Sequence, residues 1–257
     1  MKKTLLSHKD ADFLQEAIAH YGRIVTFTQV AGILKKEYSH AQAKNRLSLL
    51  AKTGWLLRIK RGLYAIITDI GSLASSDISF FTLARALNKD SYISFENALQ
   101  YYGMFEQMLE NITAITFRRG RKYNVKGTEI KFFQIKKSLY FGFTSERSDI
   151  GSVNIARKEK AILDILYFSF SAYHVSLIWE KLKEHKEDFD FGILQQYAIK
   201  FGIDMSRKIG FLLDKLDVQT DNLLKAIKGK TSYAKFTKDS HVFNSKWRLY
   251  FDPKLIE

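Results

Sequence analysis

The chain has no cysteine and a single proline, Pro253, among its 257 residues. The lack of cysteine excludes disulfides, thiolate metal ligands and cysteine nucleophiles, and it fits a reducing compartment. The lack of proline excludes a proline-rich linker. No apolar run reaches the roughly 18 residues that a membrane span needs, and Asp10 and Asp12 interrupt the apolar stretch of any signal peptide. We therefore expect a globular protein of the cytoplasm.

Positive charge is concentrated in three blocks. The net charge is +14, with +8 in residues 1–68, +7 in 115–140 and +6 in 225–254, so that the remaining residues carry −7. Such clustering is the electrostatic signature of a protein that binds a polyanion, although lysine-rich faces also serve solubility alone. We favour nucleic acid as the partner.

The stretch from Ser39 to Ile67 combines a helix with a hairpin. Ser39 is placed to cap the helix, and Ala43, Leu47 and Leu50 recur at helical spacing, which predicts a buried face. Gly54 is a typical helix end. The two apolar runs that follow are joined by the basic turn Lys60-Arg61-Gly62, which predicts a hairpin. A helix followed at once by a basic-tipped hairpin is the second half of a winged helix-turn-helix.

The preceding residues supply the first half of this unit. Residues 11–21 and 29–35 have the spacing of helices, with Thr28 as the predicted N-cap of the second, and 23–27 predicts a short strand. This order of elements is that of a winged helix, and we expect it to form a DNA-binding domain over residues 1–68. Small, amide and cationic side chains suit base edges and phosphates. The candidate DNA contacts are Thr28, Ser39, His40, Gln42, Lys44, Asn45, Ser48, Arg58, Lys60 and Arg61.

A second domain is expected over residues 69–257, after a polar boundary at 68–77. Ser94 is predicted to cap a helix that begins near Tyr92. Over residues 112–143 the apolar residues recur with a period closer to two, which predicts a small antiparallel sheet. Residues 154–228 return to helical spacing. The predicted fold class is α+β, a winged helix-turn-helix followed by a mixed α/β domain with a helical C-terminal part.

Three further groups in this domain are open to a functional and a structural interpretation. Lys160 and Asp164 lie four residues apart on one helix, where a structural ion pair is favoured over a catalytic acid–lysine set. The aromatic residues of the predicted helix favour core packing over base stacking: Tyr92, Phe95, Tyr101, Tyr102 and Phe105. The basic turn supplies candidate additional phosphate contacts: Arg118, Arg119, Arg121 and Lys122. The six histidines lack the companions that a zinc site needs, so no metal, cofactor or catalytic residue is predicted.

Three segments in the right order resemble the AbiEi family, the antitoxins of bacterial type IV (abortive-infection) toxin–antitoxin systems. They are the hairpin LLRIKRGLYAI, then YISFENALQYYGMFEQ at 92–107, and ARKEKAILDILYF at 156–168. The resemblance implies binding to inverted repeats in the protein's own promoter and repression of its operon. It also implies that the C-terminal domain neutralises a nucleotidyltransferase-like toxin, with or without a stable complex. Its antitoxin-domain motifs match Tyr92, Gly103, Glu159, Lys160 and Asp164, for which we expect mainly structural roles.

Two rival functions remain open at this stage. One is a stand-alone winged-helix transcriptional regulator whose second domain binds an effector or partner, and a neighbouring gene for a nucleotidyltransferase-like protein would discriminate against it. The other is a nuclease that uses acidic residues of the second domain, but the sequence has no paired-carboxylate motif for a metal ion.

Overall fold

The computed structural model describes residues 6–35, 37–68, 78–148 and 150–256. The chain begins with three helices and a three-stranded antiparallel sheet of order β1-β3-β2. These elements are α1 His8–Tyr21, β1 Ile24–Thr26, α2 Phe27–Leu34, α3 His40–Thr53, β2 Leu56–Lys60 and β3 Leu63–Ile66. The predicted winged-helix order is therefore present. Beyond Thr68, the predicted boundary at 68–77 lies outside the described residues.

Matching capping boxes begin α2 and α3. The Thr26 hydroxyl accepts the Gln29 N–H at 3.3 Å, and the Gln29 side chain accepts the Thr26 N–H at 2.8 Å. Ser39 and Gln42 repeat this exchange at the start of α3. The prediction of Thr28 as the cap was wrong, because only Thr26 has a glutamine three residues later. Gly54 ends α3 with φ 90°, as predicted.

The winged helix has its own apolar core. Leu47 and Leu50 of α3 pack with Phe13 and Ala17 of α1 and with Ile66 of β3. An ion pair of 2.7 Å between Arg46 Nε and Asp10 Oδ1 ties α3 to α1 at the edge of this core. The packing fixes which side of α3 is left for a ligand.

The rest of the chain surrounds a six-stranded mixed sheet, order β6-β7-β5-β4-β9-β8 among the described residues. Its strands are β4 Ser91–Ile93, β5 Ile112–Thr116, β6 Arg121–Val125, β7 Thr128–Gln134, β8 Phe143–Ser148 and β9 Gly151–Ala156. The β5–β7 and β4–β9 pairs are parallel and the others antiparallel. The helices are α4 Phe80–Leu87, α5 Glu96–Tyr101, α6 Lys158–Phe168, α7 Ala172–Glu184, α8 Phe191–Phe201, α9 Ile203–Lys215 and α10 Asp221–Ile227.

The α+β class is confirmed, but this sheet is larger than predicted and is not purely antiparallel. Tyr92 lies in strand β4 rather than at a helix start, and Ser94 does not cap α5, since its hydroxyl donates to Asp164 at 2.7 Å. Asn154 lies in β9, and the helix predicted from it begins only at Lys158. β4 is short and wholly buried, so it shows no alternation that a sequence pattern could reveal.

A third, small sheet near the C-terminus was not predicted. Its strands are β10 Ala234–Lys235, β11 Val242–Asn244 and β12 Leu249–Phe251, in the order β10-β12-β11. The buried Trp247 joins this sheet to α9, because its indole Nε1 donates to Asp214 at 2.7 Å and its ring lies against Gly210.

The hairpin of the winged helix also packs against the part of the chain that follows residue 77 and contains the six-stranded sheet. We call this part the second unit. Ile59, Leu63 and Ile67 belong to the same buried cluster as the sheet and the C-terminal helices. Lys60 Nζ adds a hydrogen bond of 3.1 Å to the Leu87 carbonyl. The wing therefore has one face towards α3 and another towards the rest of the molecule. None of the helices in the described ranges is long and apolar enough to cross a membrane.

Candidate nucleic-acid interface

An open groove of about 830 Å³ lies between α3 and the β2–β3 hairpin. Its lining includes four cationic side chains and, in the described part of the chain, no carboxylate. A groove with this lining attracts an anion. The lining residues are Phe27, His40, Lys44, Ser48, Ala51, Lys52, Arg58, Arg61, Gly62 and Tyr64.

One stripe of α3 faces this groove. His40, Lys44, Ser48 and Lys52 follow one another at intervals of four, so they share a side of the helix. The core residues of α3, Ala43, Leu47 and Leu50, lie on a neighbouring side of the helix. The His40 ring meets the Phe27 ring edge-on, with centroids 5.1 Å apart, so the imidazole packs against another residue of the groove lining.

The wing supplies the other wall. Gly62 has φ 75°, a value that allows the tight turn, and its carbonyl accepts the Phe27 N–H at 2.9 Å, which fastens the turn to α2. Arg58 is paired in register with Tyr64, so the two side chains share one face of the hairpin. Arg58 and Arg61 are exposed.

Five of the predicted contacts do not line the groove: Thr28, Ser39, Gln42, Asn45 and Lys60. The Gln42 side-chain oxygen accepts the Ser39 N–H at 2.8 Å, so both residues serve the capping box. Asn45 is exposed on another side of α3, and Thr28 is exposed in the first turn of α2. The groove thus brings together His40, Lys44, Ser48, Arg58 and Arg61 from the predicted set.

Lys60 is directed away from the groove, towards the larger sheet. Its amine contacts the Leu87 carbonyl and lies 5.9 Å from the centre of the Tyr123 ring. It lines a smaller cavity of about 210 Å³ together with Arg118, Arg119 and Arg121. Lys60 therefore links the wing to the basic turn of the second unit.

In the basic turn, two of the four cationic side chains form ion pairs with described residues and two do not. Arg118 Nε contacts Asp90 at 3.1 Å, and Lys122 Nζ contacts Glu129 at 3.2 Å. Arg119 and Arg121 are exposed and form no ion pair with a described residue. These two arginines extend the basic surface beyond the wing.

The sequence reasoning missed two groove residues with polar side chains, Lys52 and Tyr64, and a sequence signal could have identified each of them. Lys52 lies four residues after Ser48, so the helical repeat from His40 predicts it on the same stripe. Tyr64 faces the groove because it is the cross-strand partner of Arg58, and this register follows from the hairpin turn.

The Lys160–Asp164 pair lies elsewhere, fully buried in the second unit. Asp164 also accepts the hydroxyls of Ser94 and Tyr92, and the Lys160 amine donates to the Tyr92 hydroxyl at 2.8 Å. Burial lowers the pKa of Lys160 and raises the pKa of Asp164, although each charge opposes the shift of the other. Since both side chains are sealed from solvent, the cluster acts as a polar core rather than as a reaction site.

The other motif residues have comparable surroundings. Glu159 is buried and accepts the Asp190 N–H at 3.0 Å, and Gly103 follows α5 with φ 72°. Of the predicted aromatic cluster, Tyr92, Phe95 and Phe105 are buried, whereas Tyr101 is 46 % exposed. No group of three His, Asp or Glu side chains that could hold a metal ion occurs in the described ranges.

Residues 12–67, which contain this groove, match the family of AbiEi antitoxin transcriptional regulators. This segment resembles an AbiEi antitoxin. The resemblance to AbiEi proteins predicted from the sequence is confirmed over this range. A likeness to a solved structure extends over more of the chain: the crystal structure of the Rv2827c protein from Mycobacterium tuberculosis is similar over 94 % of this chain and 91 % of that one, with a TM-score of 0.59 and 12 % identity. This likeness shows a shared fold. Comparison with curated proteins found no match.

Proposed function

We propose that the protein is the antitoxin of a type IV toxin–antitoxin system and represses its own operon by binding duplex DNA. One observation carries the DNA-binding part: the cationic groove between α3 and the wing lies within the segment that matches AbiEi regulators. In this proposal α3 enters a major groove, and the wing arginines contact the neighbouring backbone.

The residues of the groove divide the work of binding. Lys44, Lys52, Arg58 and Arg61 neutralise phosphates, and this sequence-independent attraction supplies much of the affinity. On the α3 stripe, His40 and Ser48 have side chains that can form hydrogen bonds with base edges. Arg119 and Arg121 lengthen the path of phosphate contacts when the DNA passes the wing. Inverted repeats would place two copies of the chain on one operator.

A titration of the protein with its own promoter tests the DNA-binding part. We expect tight binding to a duplex that contains the promoter's inverted repeats and binding weaker by about 10³-fold or more to random duplex at the same salt. Equal affinity for the two duplexes would contradict operator recognition.

The second unit would neutralise a nucleotidyltransferase-like toxin without catalysing a reaction. The sealed Lys160–Asp164 cluster supports a non-enzymatic role. Co-expression with the neighbouring gene tests this part: we expect growth to be restored by the whole chain and not by residues 1–68 alone. The family match ends at residue 67, so it does not test the role of the second unit. The rival function of a stand-alone regulator differs from the antitoxin in the role of this unit. Repression of the promoter without rescue of growth would favour that rival.

A further inference from the structure

The outer face of the small C-terminal sheet carries a row of exposed aromatic rings. Phe243 of β11 and Lys235 of β10 are both in register with Tyr250 of β12, so the three side chains share this face. Tyr233 precedes Lys235 by two residues and extends the row. Tyr233 is 60 % exposed and Phe243 is 45 % exposed. We call Tyr233, Lys235, Phe243 and Tyr250 the aromatic face.

The rings of this face contact one another. The Tyr250 centroid lies 5.4 Å from that of Tyr233 and 4.9 Å from that of Phe243. Lys235 Nζ lies 5.0 Å from the centre of the Tyr250 ring, a cation–π distance. The contacting rings form an exposed apolar strip with an ammonium group beside it. The hydration of such a strip is unfavourable, so covering it with a ligand is favourable.

The aromatic face is rigidly supported. Trp247 is fully buried beneath the sheet, where Asp214 accepts its indole N–H. Arg248 Nε donates to the Ser232 carbonyl at 3.1 Å, which fixes the segment that carries Tyr233. The rings are therefore held in place before any ligand arrives, which lowers the entropic cost of binding one.

A basic groove of about 610 Å³ adjoins this face. Arg248 lines the groove and also holds the Tyr233 segment, so the two surfaces are continuous. Lys225, Lys228 and Lys230 line the groove and form no ion pair within the described part of the chain. Lys246 pairs with Asp214, and Asp221 is the one acidic residue among the described lining.

We propose that the aromatic face and this basic groove together bind single-stranded nucleic acid. Unpaired bases have free π-faces that stack on exposed aromatic rings, and a cationic groove follows the phosphodiester backbone. A duplex would satisfy only the groove, because its bases are already stacked on one another. The ligand chemistry is thus unpaired bases on a polyanionic backbone. The site is separate from the α3–wing groove and does not depend on the proposed operator binding.

The full chain is titrated with a fluorescein-labelled oligouridylate of about 15 nucleotides at about 50 mM salt, and anisotropy is measured. We expect the unmodified protein to bind and the Tyr233→Ala/Phe243→Ala variant to bind about tenfold more weakly or worse. The matched control, Tyr101→Ala/Tyr173→Ala, removes two other exposed aromatic side chains and should bind as the unmodified protein does. Circular dichroism of each variant verifies that it is folded.

A second pair of variants separates this site from the winged helix. Lys228→Gln/Lys230→Gln should reduce the slope of log affinity against log salt by about 1.4, since each neutralised phosphate of a single strand contributes about 0.7. Arg58→Gln/Arg61→Gln should weaken oligouridylate binding less than Tyr233→Ala/Phe243→Ala does, even if it abolishes operator binding. Parallel titration with oligodeoxyuridylate, which differs only by lacking the 2′-hydroxyl, distinguishes the two sources of ligand: tighter binding of the ribo-oligonucleotide indicates contact with the 2′-hydroxyl, and equal binding indicates a site for either strand.

Three outcomes would overturn the proposal. The first is no binding of either single strand by the unmodified protein. The second is an equal loss of binding in the aromatic variant and in the Tyr101→Ala/Tyr173→Ala control. The third is that the aromatic variant is monomeric where the unmodified protein self-associates, as measured by light scattering, without any effect on oligonucleotide affinity, since that would assign the face to a second copy of the chain.

Discussion

Arg58, Lys60 and Arg61 are neighbours in the sequence but have different surroundings on the wing. Arg58 and Arg61 line the α3–wing groove, whereas Lys60 donates to the Leu87 carbonyl on the other side of the hairpin. Charge alone does not separate these residues. The hydrogen bond of Lys60 distinguishes it from the two arginines. An amine that already has a hydrogen-bond partner contributes less binding free energy when it contacts a phosphate.

We expect Arg58→Gln/Arg61→Gln to reduce the slope of log affinity against log salt on promoter duplex by about 1.8, since each phosphate contact on B-DNA contributes about 0.9. Lys60→Gln should leave the slope close to that of the unmodified protein. Fluorescence titrations at several salt concentrations measure both. A larger change in slope for Lys60→Gln than for the arginine pair would contradict this assignment of the wing.

Asp164 is the second residue whose surroundings make a sharp prediction. Asp164→Asn keeps an oxygen that can accept the Ser94 and Tyr92 hydroxyls, but it leaves the buried Lys160 ammonium without a counter-charge. We expect the free energy of unfolding to fall by about 3–5 kcal/mol, as measured by urea denaturation. Lys122→Gln, which breaks the exposed pair with Glu129, should cost about 1 kcal/mol or less. Similar losses in the two variants would argue against an ionised buried pair.

At the scale of elements, the attachment of the small sheet to α9 depends on close packing at Gly210. A Cβ built on Gly210 would lie 2.1 Å from the Trp247 ring, a distance that no side chain tolerates. Gly210→Ala should therefore destabilise the protein by at least about 1–3 kcal/mol in thermal or urea unfolding, because the ring must move.

Gly32 of α2 is the matched control for this substitution. It is also a helical glycine, and a Cβ there would meet no atom within 4 Å. Gly32→Ala should be neutral or stabilising by up to about 1 kcal/mol, since alanine loses less conformational entropy in a helix. Destabilisation of both variants by the same amount would show that the contact with Trp247 is not the cause.

The same attachment makes the stability of the protein depend on pH through Asp214. Burial raises the pKa of this carboxyl, but hydrogen bonds from Lys246, Trp247 and Thr220 outweigh burial and hold the pKa below its ordinary value. A carboxyl with a pKa lowered by folding stabilises the protein above its unfolded pKa and loses this contribution as the pH falls through the folded pKa.

Asp214→Asn should therefore be less stable than the unmodified protein at pH about 7, and the difference should shrink below pH about 4. Melting temperatures measured across this range test the prediction. Asp217→Asn is the control, because Asp217 is exposed and lies outside this network. A constant difference at all pH values would show that the charge of Asp214 is not what stabilises the attachment.

Some elements follow from local sequence and others do not. Ser39, Gly54 and Gly62 mark the ends of α3 and the hairpin turn, since each position has one chemical requirement that few residues meet. β4 and the strands of the small sheet escape detection because they span three residues or fewer and are specified by tertiary contacts.

The same distinction applies to the candidate site. The α3 stripe follows from a spacing of four residues. This spacing predicts Lys44 and Ser48, and continuing it by one more step predicts Lys52 as well. Lys60 could not be assigned to its side of the hairpin, because the register shifts between Arg58 and Lys60. Gln42 suits a base-reading role by residue type, but the capping box is local and already uses its side-chain oxygen.

At the scale of the whole molecule, the hairpin belongs to two cores. Ile66 packs into the winged-helix core with Leu47, whereas Ile59, Leu63 and Ile67 pack into the large core of the second unit. Alternation along the strands of the hairpin sends neighbouring side chains to opposite sides. The winged helix is therefore held against the rest of the protein by apolar contact as well as by the Lys60 hydrogen bond.

Because the hairpin contributes side chains to both cores, a substitution in it should affect the stability of both parts of the protein. Ile59→Ala should cost about 2–5 kcal/mol and should reduce hydrogen-exchange protection in both β2 and the strands of the large sheet. Leu47→Ala removes a side chain from the winged-helix core alone, so its loss of protection should be confined to the N-terminal elements. Hydrogen exchange read by mass spectrometry resolves these segments. If Ile59→Ala affected only the N-terminal elements, the two cores would be energetically independent, and DNA bound at α3 could not be coupled to the second unit through the hairpin.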